Sequence, residues 1–172
     1  MTVDLRTKIR EVPDFPSPGV GFKDITPLLA DAAALKQSVT ALAEWVRDKQ
    51  PDLVLGAEAR GFILGAAIAA EAGCGFVPAR RPGKLPPETV SASYLLEYGS
   101  NSLEVHPDLI AKGARVVIHD DVLATGGTVA AIQGLVEALG AVVVGACFLI
   151  DLTFLGGRER LSGIDLYSLI EY

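Results

Sequence analysis

The pattern of apolar and polar positions predicts helices and strands in alternation along the chain. In residues 33–49, apolar side chains recur every three or four positions, the spacing of one helix face: Leu35, Val39, Leu42 and Val46. Two more helices are expected at 61–73 and 128–140, the first of them apolar nearly all round and so buried. Five apolar strands begin near residues 52, 74, 115, 141 and 164. Because these strands are continuously apolar rather than alternating, they predict an α/β fold with a parallel sheet covered by helices on both faces.

Two segments depart from this alternation. Residues 1–30 are interrupted by proline and glycine, so they predict an ordered loop or small flap rather than a separate domain. Residues 81–104 lack apolar periodicity and are rich in Pro, Gly, Ser and Glu. A loop of that length in a compact domain is expected to have a function, and a closing lid is the natural interpretation. The chain, 1–172, is interpreted as one domain.

Composition narrows the class of protein. The chain has 172 residues, of which 50% are apolar, enough for one globular domain with a hydrophobic core. The net charge of −6 argues against binding to nucleic acids or anionic membranes, which requires a basic face. The start of the chain is too polar for a signal peptide, and the longest uncharged apolar run, 140–150, is about half of a membrane span. Cys74 and Cys147 lie in apolar runs, as reduced core thiols do, so a cytoplasmic protein is expected.

The functional site is expected at one edge of the sheet. In open parallel sheets, ligands bind beyond the carboxyl ends of the strands. Those ends are expected at 56–61, 78–84, 119–128 and 150–153, and three of the four contain residues suited to binding or catalysis.

The segment Thr125-Gly126-Gly127-Thr128 has the composition of an anion-binding loop. It precedes a predicted helix, whose first backbone N–H groups are unpaired and carry partial positive charge. Two glycines let those groups converge on an anion such as a phosphate monoester, and two hydroxyls add donors. The same four residues also suit an ordinary glycine-rich turn with a threonine cap. The G-x-x-x-x-G-K-[ST] and G-x-G-x-x-G phosphate loops are absent.

Two adjacent carboxylates, Asp120 and Asp121, precede this loop. Negative charges beside a phosphate site are unfavourable unless they bind something, either sugar hydroxyls or Mg²⁺. A phosphate with vicinal hydroxyls next to it describes a ribose 5-phosphate. Successive strand residues face opposite ways, so one aspartate is expected to meet the sugar while the other supports the turn.

The run VVIHDDVLATGGT at 116–128 resembles the ribose-phosphate signature of the type I phosphoribosyltransferases. The resemblance implies a five-stranded parallel sheet with helices on both faces, a small N-terminal hood at 1–30 and a flexible catalytic lid at 81–104. Four more segments are similar to the adenine-specific members of that family, in the same order and spacing, so that the likeness extends from about Val12 to Tyr172: FPSPGVGFKDITPLL (15–29), EARGF (58–62), RRPGKLP (80–86) and SYLLEYG (93–99).

The activity that this resemblance implies is purine salvage. The 5-phosphoribosyl group of 5-phosphoribosyl 1-diphosphate passes to adenine, giving AMP and diphosphate. Mg²⁺ is expected to bind mainly through the substrate diphosphate and water, with no metal site formed by protein ligands alone. The family is typically homodimeric.

The resemblance also implies roles for residues at the strand ends. The 5′-phosphate is expected in the loop formed by Ala124, Thr125, Gly126, Gly127 and Thr128. Asp120 and Asp121 are expected to address the ribose hydroxyls. The diphosphate is expected to meet Arg60, Arg80 and Lys84. A non-proline cis peptide, common in the family, is expected between Glu58 and Ala59.

In the lid and the hood, the resemblance implies contacts to the purine. Glu97 is the expected acid–base group beside the imidazole edge, and Tyr98 is expected to pack next to it. Phe22 is expected to stack on the base, with Gly21 and Lys23 presenting backbone groups to the adenine edge.

Three positions depart from the family's pattern. The family commonly has a branched residue at Gly21 and an arginine at Lys23, changes that matter only if the contacts there are made by side chains. His119 replaces the usual apolar residue before the acidic pair and is interpreted as a strand residue without a catalytic role. Two other functions stay open. One is transfer to a different base, and the other is a regulator that binds phosphoribosyl diphosphate without turnover, although 1–30 has no helix-turn-helix pattern.

Overall fold

The computed structural model describes residues 2–95 and 100–172. Short 3-10 helices lie at Leu5–Lys8, Pro107–Leu109 and Thr153–Leu155. The strands and helices follow one another in this order: β1 (Arg10–Val12), β2 (Phe22–Asp24), α1 (Thr26–Ala30), α2 (Ala32–Asp48), β3 (Leu53–Ala57), α3 (Gly61–Ala72), β4 (Gly75–Ala79), β5 (Val90–Leu95), β6 (Ser100–Val105), β7 (Arg115–Leu123), α4 (Gly127–Ala138), β8 (Val142–Asp151), α5 (Gly157–Arg160) and β9 (Leu166–Glu171).

A five-stranded parallel sheet forms the centre of the molecule, which confirms the predicted fold class. Its strands lie in the order β4-β3-β7-β8-β9, and every neighbouring pair is parallel. After β3 the chain first adds β4 on one side and later β7 on the other. The connection from β3 leads outward to β4, and the connection from β7 leads to β8 on the opposite side. Between the carboxyl ends of β3 and β7 a crevice therefore opens.

Helices cover both faces of the sheet, as the apolar strands require. On one face, α1, α2 and α3 bury a cluster that includes Leu42, Val46 and Leu64. On the other face, α4 packs against the sheet through Ile132 and Val136. The predicted helix at 33–49 is confirmed as α2, and α4 ends as expected just before Gly140, whose φ of +76° is the left-handed conformation that follows many helices.

The expectation that the helix at 61–73 is buried all round is wrong for one side of it. In α3, Leu64 and Ile68 are fully buried, but Ile63 is 50% exposed. The helix packs mainly on α2 and on the strands β3, β4 and β7, and Ile63 lies on the side that these elements leave exposed.

The N-terminal segment forms the expected small flap. Strands β1 and β2 pair antiparallel, with Val12 opposite Phe22. Ile9, Ile25 and Leu28 are buried in the same cluster as α2 and α3, which attaches the flap to the body.

The segment 81–104, which the sequence predicts to be a loop, includes two strands. It contains β5 and most of β6, which pair antiparallel, while residues 96–99 lie outside the described chain. Val90 and Ala92 pack against the core on one strand, and Leu103 and Val105 are buried on the other. The ends of the proposed lid are therefore anchored to the domain. No helix in residues 2–95 and 100–172 has the length and apolar character of a membrane span.

Candidate active site

Residues from the ends of β3 and β7 meet in the crevice beside the switch in strand order. Arg60 follows β3, and its Nε lies 2.9 Å from Oδ2 of Asp121 on β7. This contact is an ion pair by distance, although the geometry is not that of a hydrogen bond and Oδ2 is buried without a hydrogen-bond partner. The next residue, Gly61, lets the turn approach β7, because a Cβ there would lie 3.0 Å from the carbonyl oxygen of His119. This buried carboxylate oxygen can therefore accept a hydrogen bond from a hydroxyl group of a ligand.

The acidic pair is strongly perturbed. Burial and the adjacent Asp121 carboxylate raise the pKa of Asp120 well above its usual value. Burial also raises the pKa of Asp121, although the Arg60 guanidinium acts in the opposite direction. The Asp120 Oδ1 atom accepts a hydrogen bond from the Asp121 amide at 2.9 Å, which holds the first side chain against the backbone. Asp121 therefore faces Arg60, and Asp120 supports the turn.

The glycine-rich loop opens α4 in the way an anion site requires. Gly126 is the N-cap of the helix, with the left-handed φ of +77° that favours glycine, and Gly127 is the first helical residue. Since glycine has no side chain, the cap residue accepts no side-chain hydrogen bond from the first amides of the helix. Ala124 and Thr125 lead into this turn and Thr128 follows it, so all five residues of the predicted loop are contiguous at the helix N-terminus.

The turn after β3 contains the expected cis peptide between Glu58 and Ala59. The Glu58 Oε2 atom accepts a hydrogen bond from the Arg81 amide at 2.8 Å and from Arg80 Nε at 3.2 Å. Although burial opposes the effect, these donors lower the pKa of Glu58. The carboxylate therefore ties the basic segment after β4 to the turn that contains Arg60.

Arg80 and Lys84 are brought into the same cluster in different ways. The Arg80 guanidinium contacts Glu58 and donates to the Lys84 carbonyl oxygen at 3.2 Å, so Lys84 takes part through its backbone. Glu104 on β6 accepts from the Gly83 amide at 3.2 Å and pairs through its backbone with Arg80. The base of the proposed lid is thereby joined to the basic turn.

The flap places Phe22 over the same crevice. The Arg60 guanidinium carbon lies 4.9 Å from the centroid of the Phe22 ring, and Phe15 packs edge-on against that ring at 5.1 Å. Gly21 is exposed, and a Cβ added there would meet nothing within 4 Å. The Lys23 ammonium pairs with Glu11 and lies 3.8 Å from the centre of the Tyr172 ring, so its side chain points away from Phe22.

The two lid residues, Glu97 and Tyr98, lie outside the described residues. His119 lies inside the core, where its Nδ1 is 3.0 Å from the Cys147 carbonyl oxygen and a Cβ added to Gly65 would lie 3.3 Å from its ring. Burial lowers the pKa of His119 to about 4.

The sequence did not single out the turn after β8. The buried Asp151 carboxylate pairs with Arg158, whose Nε is 2.5 Å from Oδ2. Gly157 packs directly behind Ala124. An aspartate at the end of a buried strand, followed by Gly156-Gly157-Arg158, is the signal that could have identified this turn.

Within the described residues, no three His, Cys, Asp or Glu side chains come together as a metal site. The acidic pair has one buried oxygen without a hydrogen bond, which suits a cation that brings its other ligands from substrate and water.

Three comparisons with known proteins indicate the same family. The phosphoribosyl transferase domain model matches residues 28–160. An adenine phosphoribosyltransferase of Desulfitobacterium hafniense (strain Y51) is 56% identical over 99% of this chain and 98% of its own length. The crystal structure of adenine phosphoribosyltransferase from Thermoanaerobacter pseudethanolicus superposes with a TM-score of 0.95, at 53% identity and 98% coverage of both chains. The Saccharomyces cerevisiae enzyme, crystallised with D-2,5-dideoxy-2,5-imino-altritol 1,6-bisphosphate and adenine, gives a TM-score of 0.91 at 36% identity and 96% coverage of both chains. The chain belongs to the phosphoribosyltransferase domain family and, within it, to the adenine phosphoribosyltransferases.

Proposed function

We propose that this chain transfers the 5-phosphoribosyl group of 5-phosphoribosyl 1-diphosphate to adenine, giving AMP and diphosphate. The observation that carries the proposal is the contact between Arg60 and the buried Asp121, which lies on the strand that leads into the glycine-capped N-terminus of α4. One crevice thereby offers a phosphate site, a carboxylate for sugar hydroxyls and a guanidinium for the diphosphate. Close relatives named adenine phosphoribosyltransferase support adenine as the acceptor.

The 5′-phosphate binds the loop 124–128. The first amides of α4 donate to its oxygens, and the helix dipole stabilises its charge. This contact is the same in substrate and product, so it anchors the ribose throughout the reaction and contributes to binding more than to the barrier.

The ribose hydroxyls face Asp121, whose Oδ2 is buried beside Arg60 and lacks a hydrogen bond. A ribose hydroxyl that donates a hydrogen bond to that oxygen gives the buried carboxylate the partner that it lacks. Arg60 then turns to the diphosphate, where its charge stabilises the departing group as the C1′ bond breaks. Arg80 adds a second guanidinium from the basic turn and is held ready by Glu58. Its neighbour Lys84 supplies another positive charge in the same turn.

Adenine lies under the flap. The Phe22 ring stacks on the purine, and backbone groups of Gly21 and Lys23 read its edge. The orientation of the Lys23 ammonium toward Glu11 and Tyr172 supports a main-chain contact. With such a contact, the departures from the family's usual residues at these two positions leave specificity intact.

Glu97 and Tyr98 close over the base on the lid between β5 and β6. Glu97 is the group that exchanges a proton with the purine imidazole edge. Closure also keeps water from the activated sugar, which would otherwise hydrolyse.

Mg²⁺ fits this site as a substrate-borne ion. Asp121, whose Oδ2 has no hydrogen bond, is the carboxylate that would face its hydration shell, and the substrate diphosphate would provide the direct ligands. When bound, the ion neutralises the charge of the leaving diphosphate. A homodimer and a cytoplasmic location belong to the same proposal; the exposed Ile63 on α3 supports the first, and two free cysteines support the second.

The test is incubation of the purified protein with Mg²⁺, phosphoribosyl diphosphate and adenine, hypoxanthine or guanine in turn, with chromatographic detection of nucleotide and diphosphate. AMP is expected from adenine, with little product from the two 6-oxo purines. Preferential use of a 6-oxo purine would reassign the base. Binding of phosphoribosyl diphosphate without any product would make the protein a regulator instead.

A further inference from the structure

The turn after β8 lies directly behind the phosphate loop. A Cβ built on Gly157 would collide with the carbonyl oxygen of Ala124 and would lie 2.8 Å from Leu123 Cδ1. In the other direction, a Cβ on Gly126 would lie 3.0 Å from the Gly157 carbonyl oxygen and 3.2 Å from Leu161 Cγ. The two segments thus touch backbone to backbone, with no room for a methyl group between them.

The phosphate loop needs such a support. Its glycines allow the amides to converge on a phosphate, but they also make the free loop conformationally permissive. A shift of about 1 Å in the groups that position a reactant costs about a hundredfold in rate. Rigidity must therefore come from packing outside the loop, and the Gly157 backbone is one part of the described chain that packs closely against it.

An ion pair fixes the supporting turn. Asp151 is 1% exposed, and its Oδ2 accepts from Arg158 Nε at 2.5 Å. The same guanidinium donates to Ser168 Oγ at 2.8 Å and to Glu171 Oε1 at 3.1 Å, both on β9. Leu152, next to Asp151, donates its amide to the Leu123 carbonyl at 2.9 Å. Arg158 therefore clamps the turn to two strands while its neighbour Gly157 meets the loop.

We infer that Gly157 is a positioning residue for the 5′-phosphate loop and that the Arg158–Asp151 pair holds it in place. This inference rests on the proposed function, because it assumes that the loop at 124–128 binds the phosphate. Gly157 touches no substrate; it acts through the Ala124 carbonyl, which cannot move backward while the turn is in position.

The experiment compares Gly157→Ala with wild type and with Gly134→Ala. The control adds the same methyl group on α4, where a Cβ would meet nothing within 4 Å. Kinetics should separate the two substrates. For Gly157→Ala the KM for phosphoribosyl diphosphate and the Kd for AMP should rise about tenfold or more, whereas the KM for adenine should stay within about twofold. The phosphorus NMR shift of bound AMP should also change, which a loss of stability alone would not cause.

A second variant covers the case in which Gly157→Ala does not fold. Arg158→Gln removes the clamp without adding volume against the loop, and it should also raise the KM for phosphoribosyl diphosphate selectively. If either folded variant binds AMP with wild-type affinity and an unchanged phosphorus shift, the inference is overturned. Failure of the wild-type protein to bind AMP would instead reject the proposed function.

Discussion

Arg60 and Asp121 lie 2.9 Å apart, Nε to Oδ2, without the geometry of a hydrogen bond. The two residues come from different strands, the arginine from the turn after β3 and the aspartate from β7. Both sit at the switch in strand order, where a ligand of an open α/β sheet is expected. The buried Asp121 carboxylate has a neighbouring positive charge but no hydrogen bond. A sugar hydroxyl can therefore bind Asp121 while a diphosphate binds Arg60.

Replacing Arg60 should therefore affect the step in which diphosphate leaves. The glutamine of Arg60→Gln can still form hydrogen bonds but carries no charge. The kcat/KM for phosphoribosyl diphosphate should therefore fall by about 10²–10³-fold. Arg47→Gln is the matched control, because Arg47 donates to the Glu71 carbonyl between α2 and α3. Steady-state kinetics at saturating adenine measures the effect. An unchanged kcat/KM would remove Arg60 from the diphosphate site.

Loss of the Phe22 ring should weaken adenine binding and leave the sugar phosphate unaffected. A base stacked on an aromatic ring gains about 1–3 kcal/mol, so Phe22→Ala should raise the KM for adenine by about 5–150-fold. Phe154→Ala is the control, since that ring is 72% exposed. The KM for phosphoribosyl diphosphate, measured in parallel, should change little. An equal rise in both constants would show that the flap, and not the stacking, is damaged.

Much of the fold could be predicted because its sheet is parallel. Buried strands such as β7 and β8 read as apolar runs, and the helix of Leu42 and Val46 follows the 3.6-residue period. The β5–β6 pair was missed although it alternates in period two, with Val90 and Ala92 on one strand, because serines filled its other positions and suggested a loop.

The site was predictable to a different extent. Local motifs identified the loop that begins α4 and the Asp120–Asp121 pair, since both are contiguous in sequence. The turn of Asp151 and Arg158 has a local signal, but its link to the phosphate loop was not predictable, because Gly157 meets Ala124 from more than thirty positions away. Contacts of that kind can be inferred only when the strand order is known.

Neutralising Asp120 should stabilise the free protein. The pKa of Asp120 is raised, so its contribution to stability is greatest below the unfolded value near 3.8 and is lost as the pH rises through the folded value. Near neutral pH the charged form is a cost, and Asp120→Asn can still accept the hydrogen bond from the Asp121 amide. Each 1 kcal/mol gained raises Tm by about 2–4 °C in a domain of this size. Calorimetry at pH 7, with the exposed Asp108→Asn as control, tests this; a lower Tm for Asp120→Asn would contradict it.

Glu97→Gln separates proton transfer from binding. The amide keeps the size of the side chain but cannot exchange the proton, so kcat should fall by about 10²–10⁴. The Kd for AMP should rise only modestly, because phosphate and ribose contacts are unchanged. Glu71→Gln, on the exposed surface of α3, is the control. Rapid-quench measurement of a single turnover reports the chemical step itself, and a wild-type rate there would reject the acid–base role.

His119 should weaken the fold in acid. Burial lowers its pKa from 6.5 to about 4, so the unfolded chain takes up a proton at a pH where the folded protein does not. Stability is therefore full above about pH 6.5 and is lost as the pH falls toward about 4, by about 3 kcal/mol at 1.4 kcal/mol per pH unit. His119→Leu should reduce that loss. Urea unfolding at intervals between pH 4.5 and 7.5 measures it, and the values at pH 7 and above, where the imidazole is neutral in both states, isolate the packing change. Parallel stability curves for the two proteins over the whole range would show that His119 does not titrate in this way.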